Sequence, residues 1–183
     1  MQIKSDEELA RAIIVGDGRP ALLDNGDPNP DKINEDCIRP ILTDVDTFVI
    51  SGTVSTLDQV IDKILALKET YQGSGNLTCF MNYADYAALM VKRDEFGHRM
   101  YKTSKDLADE MGVREIIDVP FITSGTILAV DLADYMIGGN AKMNNASWDQ
   151  FDLNFNKRLY LLENRKSGAL YKPFSAIKVT VTE

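Results

Sequence analysis

Few side chains in this sequence can do chemistry alone, so spacing decides what they can do together. His98 is the single histidine of the 183 residues, and there are two cysteines, Cys37 and Cys79. A zinc site takes three or four ligands, mostly His and Cys, and these three scattered residues do not make one. A serine or cysteine nucleophile would have to use His98 as its base, and no nucleophile-elbow pattern supports one. His98 lies in a polar run, Asp94-Glu95-Phe96-Gly97-His98-Arg99, and reads as a surface residue. Gly73-Ser74-Gly75 lacks the Lys-Ser/Thr ending of a phosphate loop and reads as a turn.

Oxygen ligands are plentiful but poorly spaced. Asp27, Asn29 and Asp31 alternate as at the start of a calcium loop. Lys32 then stands where that loop needs glycine, and Ile38 where it needs a bidentate glutamate. A calcium-binding module is therefore only a minor alternative to a solvated acidic loop. The 28 acidic residues single out no glycosidase-like pair, whose partners meet only in three dimensions. Trp148, Phe151 and Phe155 suggest a stacking platform, but their alternation makes core or interface packing the expected role. The expectation is a protein with no catalytic residue, no metal and no cofactor.

Composition narrows the partners. The net charge of −8 disfavours phosphate backbones and anionic membranes, which are bound mainly through Lys and Arg. Hydrophobic residues make up 44% of the chain, enough for a core without disulfides or a structural metal. The two cysteines are far apart and suit a reducing cytoplasm, with Cys79 in an apolar run as a buried thiol. The N-terminal residues lack a signal-peptide core, and no apolar stretch is long enough to span a bilayer.

The elements that would position these residues are readable from periodicity. Ser5-Asp6-Glu7-Glu8 reads as a capping box before Leu9, Ala12 and Ile13, with Gly16-Asp17-Gly18 as the stop. Residues 19–36 read as a long loop, followed by strands near Ile38–Leu42 and Phe48–Ser51. Thr56 is the expected cap of a helix burying Leu57, Val60, Ile61, Ile64 and Leu65. Leu77–Met81 reads as a buried strand, and Asn82 as the cap of a helix to about Lys92 with Tyr86, Leu89 and Met90 inward. A shorter helix spans Ser104–Met111 and stops at Gly112. Strands follow at Ile116–Ile122, Thr126–Asp131, Tyr135–Ile137, Phe151–Phe155, Arg158–Glu163 and Ala176–Val181. Ser167-Gly168 reads as a tight turn between strands at Arg158–Asn164 and Ala169–Lys172. Helices and strands intermingle without regular alternation, so the fold class is α+β.

The C-terminal third carries a resemblance. It runs Asp131-Leu-Ala-Asp-Tyr135-Met-Ile-Gly138, then Trp148-Asp-Gln-Phe-Asp152-Leu-Asn-Phe-Asn156. It continues Tyr160-Leu-Leu-Glu-Asn-Arg165-Lys-Ser-Gly168-Ala and ends Lys172-Pro173-Phe-Ser-Ala-Ile177. Upstream stand Gly16-Asp17-Gly18 after a helix, a helix near Leu57–Leu67, a strand into Asn82, and Gly97-His-Arg-Met-Tyr101. This ordered set resembles tailed-bacteriophage major capsid proteins of the Hong Kong ninety-seven type, best from about Leu57 to Val181.

The resemblance implies a major-capsid-type α+β fold in three segments. Residues 1–52 would be the end of a spine helix plus a peripheral segment, 53–139 the axial domain at the capsomer centre, and 140–183 the return strands. The family's N-terminal arm, extended loop and most of its spine helix have no counterpart, so the expectation is the C-terminal part of such a protein, unable to close shells alone. Some relatives cross-link a lysine of the extended loop to an asparagine, whose position here falls at Asp152; cross-linking is not carried over. The implied function is a structural shell protein of a phage or prophage, with copies of itself as partners in pentamers and hexamers. Scaffold, portal and maturation protease are further implied partners. The implied location is the virion capsid, assembled in the bacterial cytoplasm around DNA. An encapsulin-like nanocompartment shell shares the fold and is the alternative, with an unrelated small enzyme or calcium module behind it.

One segment is singled out for assembly. Asp94–Lys105 carries both signs of charge, with Asp94 and Glu95 beside Lys92, Arg93, Arg99, Lys102 and Lys105. A heterologous ring contact pairs different patches of neighbouring copies, and mixed charge allows that. Phe96, Met100 and Tyr101 add apolar area. Asp94, Glu95, Phe96, Gly97, His98, Arg99 and Tyr101 are the expected capsomer-axis contacts, exposed and poorly ordered in the isolated chain.

Overall fold

The computed structural model describes residues 2–17, 22–23, 25–29, 37–139, 146–152, 157–163 and 166–182. Among the described residues the strands are β1 (Val49–Val54), β2 (Thr78–Met81), β3 (Glu115–Asp118), β4 (Thr126–Val130), β5 (Tyr135–Gly139), β6 (Ala146–Asp152), β7 (Lys157–Glu163), β8 (Lys166–Leu170) and β9 (Ala176–Val181). The α-helices among them are α1 (Gln2–Ile14), α2 (Gln59–Leu67), α3 (Tyr83–Val91) and α4 (Ser104–Met111). Five strands form one mixed sheet in the order β1-β9-β4-β2-β3, while β5 pairs with β8 and β6 with β7.

The sheet is apolar on both faces, which is why its inner strands read as continuous apolar runs. Cys79, Met81, Ile127, Ala129, Ile177 and Val179 point to one face. There they meet Val60, Ile61 and Ile64 of α2, Leu89 of α3, and Leu107 and Met111 of α4. Phe80, Leu128, Val130 and Ala176 point to the other face, against Ala12, Ile13 and Ile14 of α1 and against Ile38, Ile41 and Leu42. Tyr135 and Leu170, at the root of the β5–β8 pair, join this second core. Leu107 is fully buried, and truncating such a residue to alanine costs about 3 kcal/mol.

Local chemistry explains most boundaries. Asn82 caps α3 as expected, accepting from the Ala84 amide at 3.0 Å while its own amide nitrogen donates to Ile122 O at 2.7 Å. Thr103 and Asp106 form a capping box on α4, and Gly112 ends that helix at φ 66, a left-handed conformation glycine adopts without strain.

Several expectations fail for identifiable reasons. Helix α1 already begins at Gln2, so Ser5 lies inside it and is not its cap. The cap position of α2 is Asp58, not Thr56; the Asp58 carboxylate pairs with Lys92 at 2.6 Å, and Thr56 contributes only its carbonyl to the entering turn. Leu65 is 45% exposed, leaving Val60, Ile61 and Ile64 as the buried stripe. The Ile38–Leu42 strand does not form. Pro40 has no N–H to donate to a ladder, and the chain turns into a 3-10 helix at Ile41–Thr43. The strand expected to reach Ile122 ends at Asp118, before Pro120, and Val119 and Ile122 fold into the second core.

Gly168 is the sharpest correction. It is not a turn residue but sits inside β8, opposite Ile137 of β5, and it has no positive φ. On its other side it exchanges hydrogen bonds with Cys37 O (2.8 Å) and the Arg39 amide (2.9 Å). A Cβ there would meet the Tyr135 ring at 2.6 Å, so glycine is present for close approach.

Candidate assembly surfaces

Helix α3 ends at Val91, and the chain turns back on itself before α4. Lys92 O accepts from the Met100 amide (3.0 Å), Arg93 bridges Arg99, and the Asp94 amide donates to His98 O (2.9 Å). The turn closes on Asp94. Its Oδ1 accepts from the backbone amides of Phe96 (2.9 Å) and His98 (2.8 Å), and Gly97 sits at φ 81. Arg93 Nη1 donates to Gly97 O at 2.7 Å, and His98 Nδ1 lies 3.6 Å from Asp94 Oδ2. Aspartate capturing amides two and four residues on, followed by a left-handed glycine, is turn chemistry written in the sequence. The turn presents Phe96 at 84% exposure, with Glu95, Arg99 and Met100 also exposed. Tyr101 stands apart: it is half-buried against the first core, and burial first, then the Glu110 charge, raises its hydroxyl.

A buried polar cluster lies elsewhere. Asp134 is fully buried between β4 and β5. Its carboxylate accepts from the Ser74 amide (2.7 Å) and Ser74 Oγ (2.5 Å), and pairs with Lys172 Nζ at 2.7 Å. Lys172 Nζ also reaches Ser74 Oγ at 2.6 Å. Burial pushes the Asp134 carboxyl up, but the Lys172 and Ser74 bonds outweigh it and hold it below the ordinary range. The Lys172–Ser74 approach looks like a hydrolytic dyad, and its electrostatics argue against one. Asp134 raises Lys172, which therefore stays an ammonium, and the Ser74 hydroxyl donates its hydrogen bond to the Asp134 carboxylate rather than to the Lys172 nitrogen. The sequence marked Gly73-Ser74-Gly75 as a turn but gave no sign of this role, because its partners are distant in the chain.

The β5–β8 pair carries a third surface. Tyr135 is buried and donates its hydroxyl to Arg39 O at 3.0 Å; burial, then the Asp44 charge, pushes its pKa up to about 12. From Met136 onward β5 is exposed. Met136 and Ile137, with Cys37, Arg39, Ser167 and Tyr171, line an open groove of about 400 Å³. Cys79 is the buried thiol expected, pushed to about 12 by burial, while Cys37 is exposed.

The other candidates can be placed only in part. Asp27 sits in a small turn where its amide and carboxylate bond Asn25 (3.1 and 2.7 Å), and Asp31 lies outside the described residues. Among the described residues, no three His, Cys, Asp or Glu converge as a metal site. Strand β6 contains Trp148 and Phe151, whose side chains, like Phe155, lie outside the described set. No helix among the described residues is long and apolar enough to cross a membrane.

No family model and no curated protein matches the chain. Solved structures do. The capsid of an empty GTA particle aligns over 100% of this chain and 64% of its own, at 16% identity and a TM-score of 0.67. The capsid of the native GTA particle aligns over 100% of this chain and 63% of its own, at 15% identity and 0.66. A virus-like particle from Pyrococcus furiosus aligns over 78% of this chain and 59% of that one, at 15% identity and 0.56. The chain thus spans just under two thirds of the length of the GTA capsid chains. The class defined is one of fold: an α+β, phage major-capsid-type fold, as the C-terminal motifs led us to expect.

Proposed function

We propose that this chain is a shell subunit of an icosahedral phage or prophage head, associating with its own copies into pentamers and hexamers around DNA. The observation that carries this reading is the alignment of the whole chain with capsid subunits of the GTA particle. The same likeness supports a structural role rather than a catalytic one. In this reading residues 53–139 are the axial lobe, 1–52 the peripheral segment and 140–183 the return strands. The hairpin around Phe96 then faces its symmetry mates at the ring centre. An exposed phenylalanine flanked by Asp94, Glu95, Arg93 and Arg99 supports that role, since a ring contact joins unlike patches and needs both apolar area and paired charge. Scaffold, portal and maturation protease are further partners of the same reading, with assembly in the bacterial cytoplasm.

The test is sedimentation and electron microscopy of the concentrated chain. Five- and six-membered rings without closed shells are expected. A Phe96→Asp/Arg99→Glu variant should lose the rings while keeping the circular dichroism and melting temperature of its parent. A chain monomeric at every concentration, or rings indifferent to that variant, overturns the reading.

A further inference from the structure

The chain leaves the five-stranded sheet at Val130 and re-enters it at Ala176, and these two residues are paired neighbours in the β4–β9 ladder. The described residues between them form an excursion whose root is two adjacent passages, 131–135 and 170–175. Asp134 lies in the outgoing passage and Lys172 in the return, and the Tyr171 amide donates to Asp134 O at 3.2 Å. Both side chains converge on Ser74, in the turn that precedes β2 and therefore belongs to the body of the sheet. The same turn holds the return passage a second time, through the Gln72 amide and Phe174 O at 2.9 Å. Gly73 leaves no room for a side chain between Tyr71 and Asp134. Phe174 accepts a left-handed φ of 50 to make this connection.

The opposite side of the root is held differently. Tyr135 and Leu170 are sunk in the second core, and the hydrogen bonds there run to one short segment, from the Tyr135 hydroxyl to Arg39 O and between Gly168 and the Cys37 and Arg39 backbone. Ties to one segment leave rotation about it, and a second set on the other side removes that freedom, because hydrogen bonds weaken steeply with distance and angle. Met136–Gly139 are exposed, so the β5 strand itself adds no packing on the body.

We infer that Asp134, Ser74 and Lys172 form a clasp that sets the angle at which the β5–β8 pair leaves the five-stranded sheet. Breaking the clasp frees the tilt of the pair without melting the sheet. The inference rests on this geometry alone and does not depend on what the whole protein builds.

The experiment places nitroxide labels at Ser167→Cys on β8 and Glu69→Cys on the body, in a Cys37→Ser background, and measures the distance distribution by pulsed electron resonance. The clasped parent should give one narrow distribution. Lys172→Met should broaden or shift it, Ser74→Ala should do so more mildly, and Lys172→Arg, which keeps the cation, should restore it. In both broken variants hydrogen exchange should quicken more at the β5–β8 amides than at the β4–β9 amides. Distributions unchanged in both Lys172→Met and Ser74→Ala overturn the inference. So does exchange accelerated equally at β5–β8 and β4–β9, which would make the cluster a general stabiliser and not an angular clasp.

Discussion

Two aspartates organise two turns, and they do it under opposite conditions. Asp94 stands in water and captures the amides of Phe96 and His98, both within four residues of itself. Asp134 is buried and captures Ser74, 60 residues earlier in the chain, with Lys172 as counter-ion. The acceptor chemistry is the same, but the energetic consequence is not. Water stands ready to replace the exposed partner, so losing it costs little; a buried donor stripped of its acceptor has no replacement. The exposed turn can therefore vary its surface for contact with other molecules, while the buried one has one solution.

Breaking the buried member should have the largest effect. Asp134→Ala leaves the Ser74 amide unmatched and the Lys172 ammonium without its pair. Urea unfolding should report a loss of about 3 kcal/mol. Gly168→Ala, beside the same root, drives a methyl into the Tyr135 ring and should cost about 2 kcal/mol by the same measurement. Acid sharpens the contrast. The native Asp134 carboxyl titrates below its ordinary 3.8, so its stabilisation is complete above the unfolded value and fades as pH falls through the native one. The stability gap between the parent and Asp134→Asn should be full at neutral pH and should shrink steadily below about pH 4. A gap that widens on acidification contradicts the ion pair. At the small end, replacing 94–99 with a short Gly-Ser linker should change unfolding free energy by no more than about 0.5 kcal/mol, since its side-chain contacts stay within the turn. A loss of several kcal/mol would mean the hairpin belongs to the core.

The same contrast explains what was legible in advance. The Asn82 cap, the Gly112 stop, the apolar stripe of α2 apart from Leu65, and the apolar run of β2 are local patterns, and each stands where the local sequence put it. The Asp94 turn is local too, and its exposure was foreseen; its internal hydrogen bonds were not, although Asp94 and Gly97 signal them. Legibility failed where the decisive neighbour is remote. Ser-Gly at 167–168 carries turn chemistry, and only the Tyr135 ring turns that glycine into a strand residue. Nothing near Asp134 in sequence announces Ser74 or Lys172. Pro40, by contrast, was a local signal against the Ile38–Leu42 strand that the apolar pattern overrode.

The position of β9 sets a condition on how the chain becomes a protein. Val49 pairs with Ala176, and β9 lies between β1 and β4, so that inner place in the sheet is filled by residues synthesised long after both of its neighbours. Until they arrive, β1 and β4 each show an open edge, and the apolar faces of both cores lack one wall. Pairing so distant in sequence is slow to form, which lengthens that interval. A nascent chain is therefore prone to aggregate between the emergence of β4 and that of β9, and the five-stranded sheet cannot close until synthesis has run through Val181.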